Sequence, residues 1–158
     1  MRLGITGHRG LPAATEELIR PALREEILRR LPAELVAVSC VADGPDAWFA
    51  QAVLDAGGQL EVVIPADRYR EGLPVVHHAE YDALLRRASR VHTTGMTESD
   101  SQAHMRGSEI LVDLADELIA VWDGLPARGY GGTADVVAYA GRQGVTVHRI
   151  WPSGSSRD

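Results

Sequence analysis

The stretch Thr6-Gly7-His8-Arg9-Gly10 closes the first apolar run of the chain, Leu3–Thr6. A second stretch, Ala42-Asp43-Gly44-Pro45-Asp46, follows the valine-rich run Leu35–Val41 and opens directly into a helical pattern. A third, Asp123-Gly124 and then Gly129-Tyr130-Gly131-Gly132-Thr133, follows Leu118–Trp122 and opens another helical pattern. Glycine lets a backbone take up positive φ and approach a bound group closely. A helix that begins at such a turn offers exposed N–H groups and the positive end of its dipole, which suits an anion. Arg9 can fork onto a phosphate or carboxylate. Each junction also has a plain reading: the glycines as turn residues, Asp43 or Asp46 as helix caps, Thr133 as a cap whose hydroxyl can still donate to a phosphate. Three such junctions in one chain point together to a phosphate-bearing ligand.

The elements that must position these stretches alternate along the chain. Helical spacing of apolar residues marks Thr15–Arg30, with Pro21 predicting a kink or a restart, then Pro45–Ala56, Ala79–Ala88, Ser101–Leu114 and Thr133–Arg142. Short β-rich runs mark Leu3–Thr6, Leu35–Val41, Leu60–Ile64, Arg90–Thr93, Leu118–Trp122 and Val145–Ile150. Strands alternating with helices predict an α/β fold with a mainly parallel sheet. In such folds ligands sit outside the carboxyl ends of the strands, near a topological switch point. The residues just after each strand are therefore the ones to watch.

Composition narrows the chemistry. The chain has 158 residues, a single cysteine, Cys40, and a formal net charge of −6. One cysteine excludes an intrachain disulfide and a multi-cysteine zinc site, and Cys40, in or at the end of a strand, reads as a buried inert thiol. The acidic balance argues against nucleic acid or an acidic membrane surface as partner. All 16 basic residues are arginines, so lysine Schiff-base chemistry and a Walker A loop are excluded. No apolar run is long enough to span a membrane, and the N-terminus is too short on apolar residues for a signal peptide; a cytoplasmic location is expected. His77 and His78 are adjacent and form a poor chelating pair. With His104, Glu80, Asp82 and Glu98 they leave a metal conceivable, but no metal is expected.

The chain resembles the SLOG superfamily, which groups the LOG-type phosphoribohydrolases, the DprA/Smf proteins and the YpsA-like proteins. Ile5-Thr6-Gly7-His8-Arg9 is similar to the first-strand motif of YpsA-like members. Val41-Ala42-Asp43-Gly44-Pro45-Asp46-Ala47, running on to Ala56-Gly57-Gly58, is similar to the DprA-type segment that ends in a glycine pair. Arg106, then Ala115-Asp116, then Leu118-Ile119-Ala120, then Gly131-Gly132-Thr133 resembles the LOG order of arginine, "A-D", strand and "G-G-x-G-T". The loop departs from the proline-led P-G-G-x-G-T-x-E-E of LOG enzymes: Asp135 matches the first glutamate, and Val136 occupies the second.

The resemblance implies a single Rossmann-like domain over residues 1–151, its parallel sheet flanked by helices on both faces, with 152–158 as a flexible tail. It implies a nucleotide or nucleotide-derived ligand, and a homodimer, since relatives often associate. Two functions follow. As a binding protein, the chain would hold a nucleotide with Thr6, Gly7, His8, Arg9, Asp43, Gly44, Asp46, Asp123, Gly124, Gly131, Gly132 and Thr133, while Trp122 or Tyr130 stacks on the base. As a LOG-like phosphoribohydrolase, it would cleave the N-glycosidic bond of a nucleoside monophosphate. Asp135 would then stabilise the oxocarbenium-like state and Arg106 would assist departure of the base. Binding needs fewer conditions and stands first.

Overall fold

The computed structural model describes residues Met1–Asp158. Six β-rich runs form six strands: β1 Arg2–Gly7, β2 Val36–Ser39, β3 Gln59–Ile64, β4 Arg90–Thr93, β5 Glu117–Val121 and β6 Thr146–Ile150. They make one sheet in the order β4-β3-β2-β1-β5-β6, parallel at every pairing. β1 is central, pairing Gly4 with Val38 of β2 on one side and Gly7 with Val121 of β5 on the other. The inner strands are buried on both faces and read as near-continuous apolar runs, as covered parallel strands do.

Five helices connect them: α1 Ala13–Leu28, α2 Pro45–Asp55, α3 His78–Arg86, α4 Ser101–Leu114 and α5 Thr133–Arg142. α1, α2 and α3 pack side by side on one face, and α4 and α5 on the other. Right-handed crossovers require this: β1 to β4 step one way across the sheet, and the step from β4 back to β5 reverses it. The architecture is the doubly wound, Rossmann-like one expected. No helix is long and apolar enough to cross a membrane.

α1 runs unbroken through Pro21, which faces solvent, so the chain does not restart there. α2 starts with Pro45 in its first turn after Gly44 at φ +97°. α4 is capped by Asp100, whose side chain accepts from the Ala103 N–H at 2.8 Å. Gly4 and Gly107 let α4 approach the sheet. A Cβ on Gly4 would stand 2.8 Å from Leu111 Cδ2, and one on Gly107 would stand 2.9 Å from Pro65. The core runs through both layers, with Leu3, Ile5, Phe49, Leu60, Leu118 and Ile119 all fully buried.

Residues 152–158, expected to be loose, lie against the domain. The Thr15 hydroxyl donates to the Ser156 carbonyl at 2.8 Å and accepts the Ser156 N–H at 3.0 Å. Arg128 donates to both carboxylate oxygens of Asp158 at 3.2 and 3.3 Å.

Candidate functional site

The carboxyl end of β1 is squeezed from both sides. A Cβ on Gly7 would meet Pro45 at 2.9 Å and Val121 at 3.0 Å, so only glycine fits between the start of α2 and the end of β5. His8 follows and is buried, with its ring edge-on to Trp151. Its Nε2 stands 3.1 Å from the Asp123 backbone nitrogen, and its Nδ1 lies 3.3 Å from Thr133 Oγ1. The same Nε2 lies 3.2 Å from Asp123 Oδ1, and the tautomer sets which of Nδ1 and the Thr133 hydroxyl donates to the other. Burial, reinforced by Arg157, holds the His8 pKa below its ordinary value against the pull of Asp123, so the neutral ring is favoured at neutral pH.

Thr133 begins α5. The amides of Asp135 and Val136 bond to the Gly132 carbonyl, while those of Thr133 and Ala134 find no acceptor within the protein. Two first-turn donors and one hydroxyl are therefore available at a helix N-terminus. The loop before them is tight. Gly131 sits at φ +84°, and a Cβ there would stand 3.0 Å from the Ser101 carbonyl.

Thr133 opens into a cavity of about 360 Å³ that reaches from the end of β2 across the end of β1 to the start of α5, spanning the β1–β5 junction where the chain reverses direction across the sheet. Thr6, Gly7, His8, Arg9, Asp46, Gly131, Gly132 and Thr133 line it, so eight of the expected ligand residues come together. Arg9, Arg128 and Arg157 give it three guanidinium groups. Asp46 is its only acidic lining residue. Burial pushes the Asp46 carboxyl up to about 7, against the opposing pull of the Ala42 N–H and Arg9. Cys40, Tyr69 and Pro65 lie on the same floor, and His104 and Ser108 of α4 line the wall. Burial raises the Cys40 thiol well above its ordinary pKa, in keeping with an unreactive sulfur.

Other expected residues stand outside the cavity. Arg106 is exposed on α4 and pairs with Glu109 at 3.6 Å. His104, Ser108 and Leu111, spaced four and three apart, turn the inner face of α4 to the cavity, and Arg106 falls on the opposite side. Asp135 folds back to accept the Gly131 N–H at 2.9 Å and so pins its own loop. Asp43 is held by Arg9 at 2.7 Å. Asp123 supports His8, and Gly124 and Trp122 pack on Arg149, whose guanidinium donates to the carbonyls of Trp122 and Asp123. Of the two aromatic candidates, Tyr130 lines the cavity and is largely exposed. His77 bonds the Val41 carbonyl, His78 the Leu73 carbonyl and His104 the Ser99 hydroxyl, so the three rings have separate partners.

Arg157, Arg128, Tyr69, His104 and Ser108 were not singled out for this cavity by the sequence. Arg128 carries a signal, since it interrupts the glycine loop. Tyr69 and Arg157 carry none, because only the packing of distant segments brings them in.

No family model matches the chain, and no curated protein does. Solved structures match its fold. DNA processing protein A (DprA) from Streptococcus pneumoniae is 19 % identical with a TM-score of 0.68, over 97 % of this chain and 51 % of that one. The chain thus spans about half of that protein. DprA from Helicobacter pylori, whose structure addresses its single-stranded DNA binding mode, is 14 % identical with a TM-score of 0.69, over 99 % and 68 %. The protein TM1055 is 19 % identical with a TM-score of 0.59, over 92 % and 71 %. The chain shares the fold of these solved structures, with an arginine-lined cavity at the carboxyl edge of its sheet.

Proposed function

We propose that this protein binds a nucleotide or nucleotide derivative, with its phosphate at the start of α5. One observation carries the reading: the Thr133 amide, without an internal acceptor, the Thr133 hydroxyl and three arginines line one cavity of an otherwise acidic chain. Anions gather where backbone donors, a helix dipole and guanidinium groups point the same way. Tyr130 at the rim offers a flat face to a base. The hydrolase alternative lacks support from its two expected residues, since Arg106 faces solvent and Asp135 is occupied by its own loop. The DprA from H. pylori binds single-stranded DNA. A site of about 360 Å³ inside a chain of net charge −6 fits one nucleotide better than a strand.

Isothermal titration with ribonucleoside monophosphates, ADP-ribose, inorganic phosphate and a short single-stranded DNA tests this, with chromatography for released base. Saturable binding of a mononucleotide without base release is expected. Thr133→Val should weaken it roughly tenfold, the size of one lost hydrogen bond to a charged group. Release of free base would replace binding with hydrolysis. Binding of the DNA alone would move the function to nucleic acid.

A further inference from the structure

The cavity is polar in two opposite senses. At its β5–α5 end stand the amide of Thr133, without an acceptor in the protein, and the Thr133 hydroxyl. At its β2–α2 end stands Asp46, an acceptor. The end of β1 lies between them, so the two ends are about two strand spacings apart, roughly 10 Å. The first end suits an anion, and the Asp46 end suits a group with hydrogen-bond donors.

Asp46 has little within the protein to satisfy it. Its one side-chain hydrogen bond is the Ala42 N–H at 3.4 Å, long for such a bond. Arg9, the nearby cation that could neutralise it, is already held by Asp43 at 2.7 and 2.9 Å. The Ser39 hydroxyl donates to the Asp46 backbone carbonyl and leaves the carboxylate alone. A carboxylate in partial burial with spare lone pairs is costly unless donors reach it. It sits in the first turn of α2, whose start is fixed by Gly44 and by the close packing of Pro45 on Gly7, so its place in the cavity is built in.

We propose that Asp46 reads the sugar: its two carboxylate oxygens accept from the two cis hydroxyls of a ribose, and the cavity selects ribonucleotides over 2′-deoxyribonucleotides. This deepens the nucleotide reading and rests on it. The sugar is the part of a nucleotide next to its phosphate, and its paired hydroxyls match a carboxylate two-to-two. A phosphate placed at α5 brings that edge toward α2. Removing one hydroxyl leaves a lone pair of a half-buried carboxylate without its donor, which a site built to bond that hydroxyl disfavours.

The test is titration calorimetry of the intact protein with the four ribonucleoside monophosphates and their 2′-deoxy counterparts. The deoxy form of the best ligand should bind roughly tenfold to a hundredfold more weakly. Asp46→Asn, which keeps an acceptor for Ala42, should abolish most of that discrimination and leave competition by inorganic phosphate unchanged. Equal affinity of wild-type protein for ribo and deoxy forms would overturn the inference and leave the nucleotide reading standing. Discrimination that survives in Asp46→Asn would remove it from Asp46. If no nucleotide of either series binds, the nucleotide reading itself falls and takes this one with it. Should Asp46→Asn fail to fold, Asp46→Ser is titrated in its place, with the same two outcomes.

Discussion

Burial holds the Asp46 carboxyl at about 7, against an ordinary value near 4. The sign of the consequence is fixed by linkage. Between about pH 4 and pH 7 the folded protein binds this proton more tightly than the unfolded chain does. Asp46 therefore lowers stability as pH rises through that window. Asp46→Asn should unfold at higher denaturant concentration than wild type at pH 8, by about 1–3 kcal/mol, and the gain should vanish below about pH 4. A variant that gains stability while it loses sugar discrimination marks a functional group rather than a packing one. His8 runs the other way. Its pKa is lowered by burial and by Arg157, so its contribution to stability is lost as pH falls below about 6.5. Arg157→Ala should raise the His8 pKa, read by NMR titration with His8→Gln for assignment. An unmoved His8 would show that the tail does not reach the cavity in solution.

At the scale of elements, close approach decides where the site stands. Gly7 has Pro45 of α2 on one side and Val121 of β5 on the other. Gly7→Ala must push one of them away and should cost about 1–3 kcal/mol in urea denaturation, as overpacking does. The turn after β2 is also strained, because Val41 is buried at φ +48°, a conformation β-branched residues rarely adopt. The Ser39 hydroxyl accepts the Val41 N–H at 2.9 Å, and His77 Nε2 meets its carbonyl at 2.9 Å, so both peptide groups are held. Much of this framework was legible in the sequence. Ser101–Leu114 and Thr133–Arg142 are helices at the predicted bounds, because Leu111 and Leu114 in one and Val136 and Ala140 in the other recur at helical spacing and Asp100 and Gly132 stand at the starts. Rotation about a helix was harder to read. The order of motifs nominated Arg106 and Asp135, but Arg106 stands two positions from each of the cavity-facing His104 and Ser108, and Asp135 is close enough to its own glycine loop to cap it. The tail was illegible for another reason. Ser153-Gly154-Ser155-Ser156 is locally polar, and the Thr15 that holds it lies 141 residues away from Ser156 in the chain.

For the whole molecule, the two layers of helices and the cavity form one packed unit around β1, so ligand at the cavity should stabilise all of it. A ligand that binds only the folded state adds about 2.7 kcal/mol at a free concentration a hundred times its Kd. A domain of 158 residues gains roughly 2–4 °C in Tm per kcal/mol. The expected shift is therefore roughly 5–10 °C in differential scanning calorimetry, with one cooperative transition before and after. The field of the molecule adds a second expectation. The net charge of −6 repels an anion at long range, while Arg9, Arg128 and Arg157 attract it at the mouth of the cavity. Salt screens both, and the distant repulsion falls away first, because charges beyond roughly 10 Å are screened at 0.1 M while the closer arginines still act. Affinity for a nucleotide should thus change only weakly up to about 0.1 M salt and fall beyond it. Binding to a nucleic-acid backbone would instead weaken steeply and log-linearly from the lowest salt upward as counterions are released. Calorimetry across a salt series separates the two: a flat start identifies a ligand held inside the cavity, and a steep continuous slope identifies a strand laid across the surface.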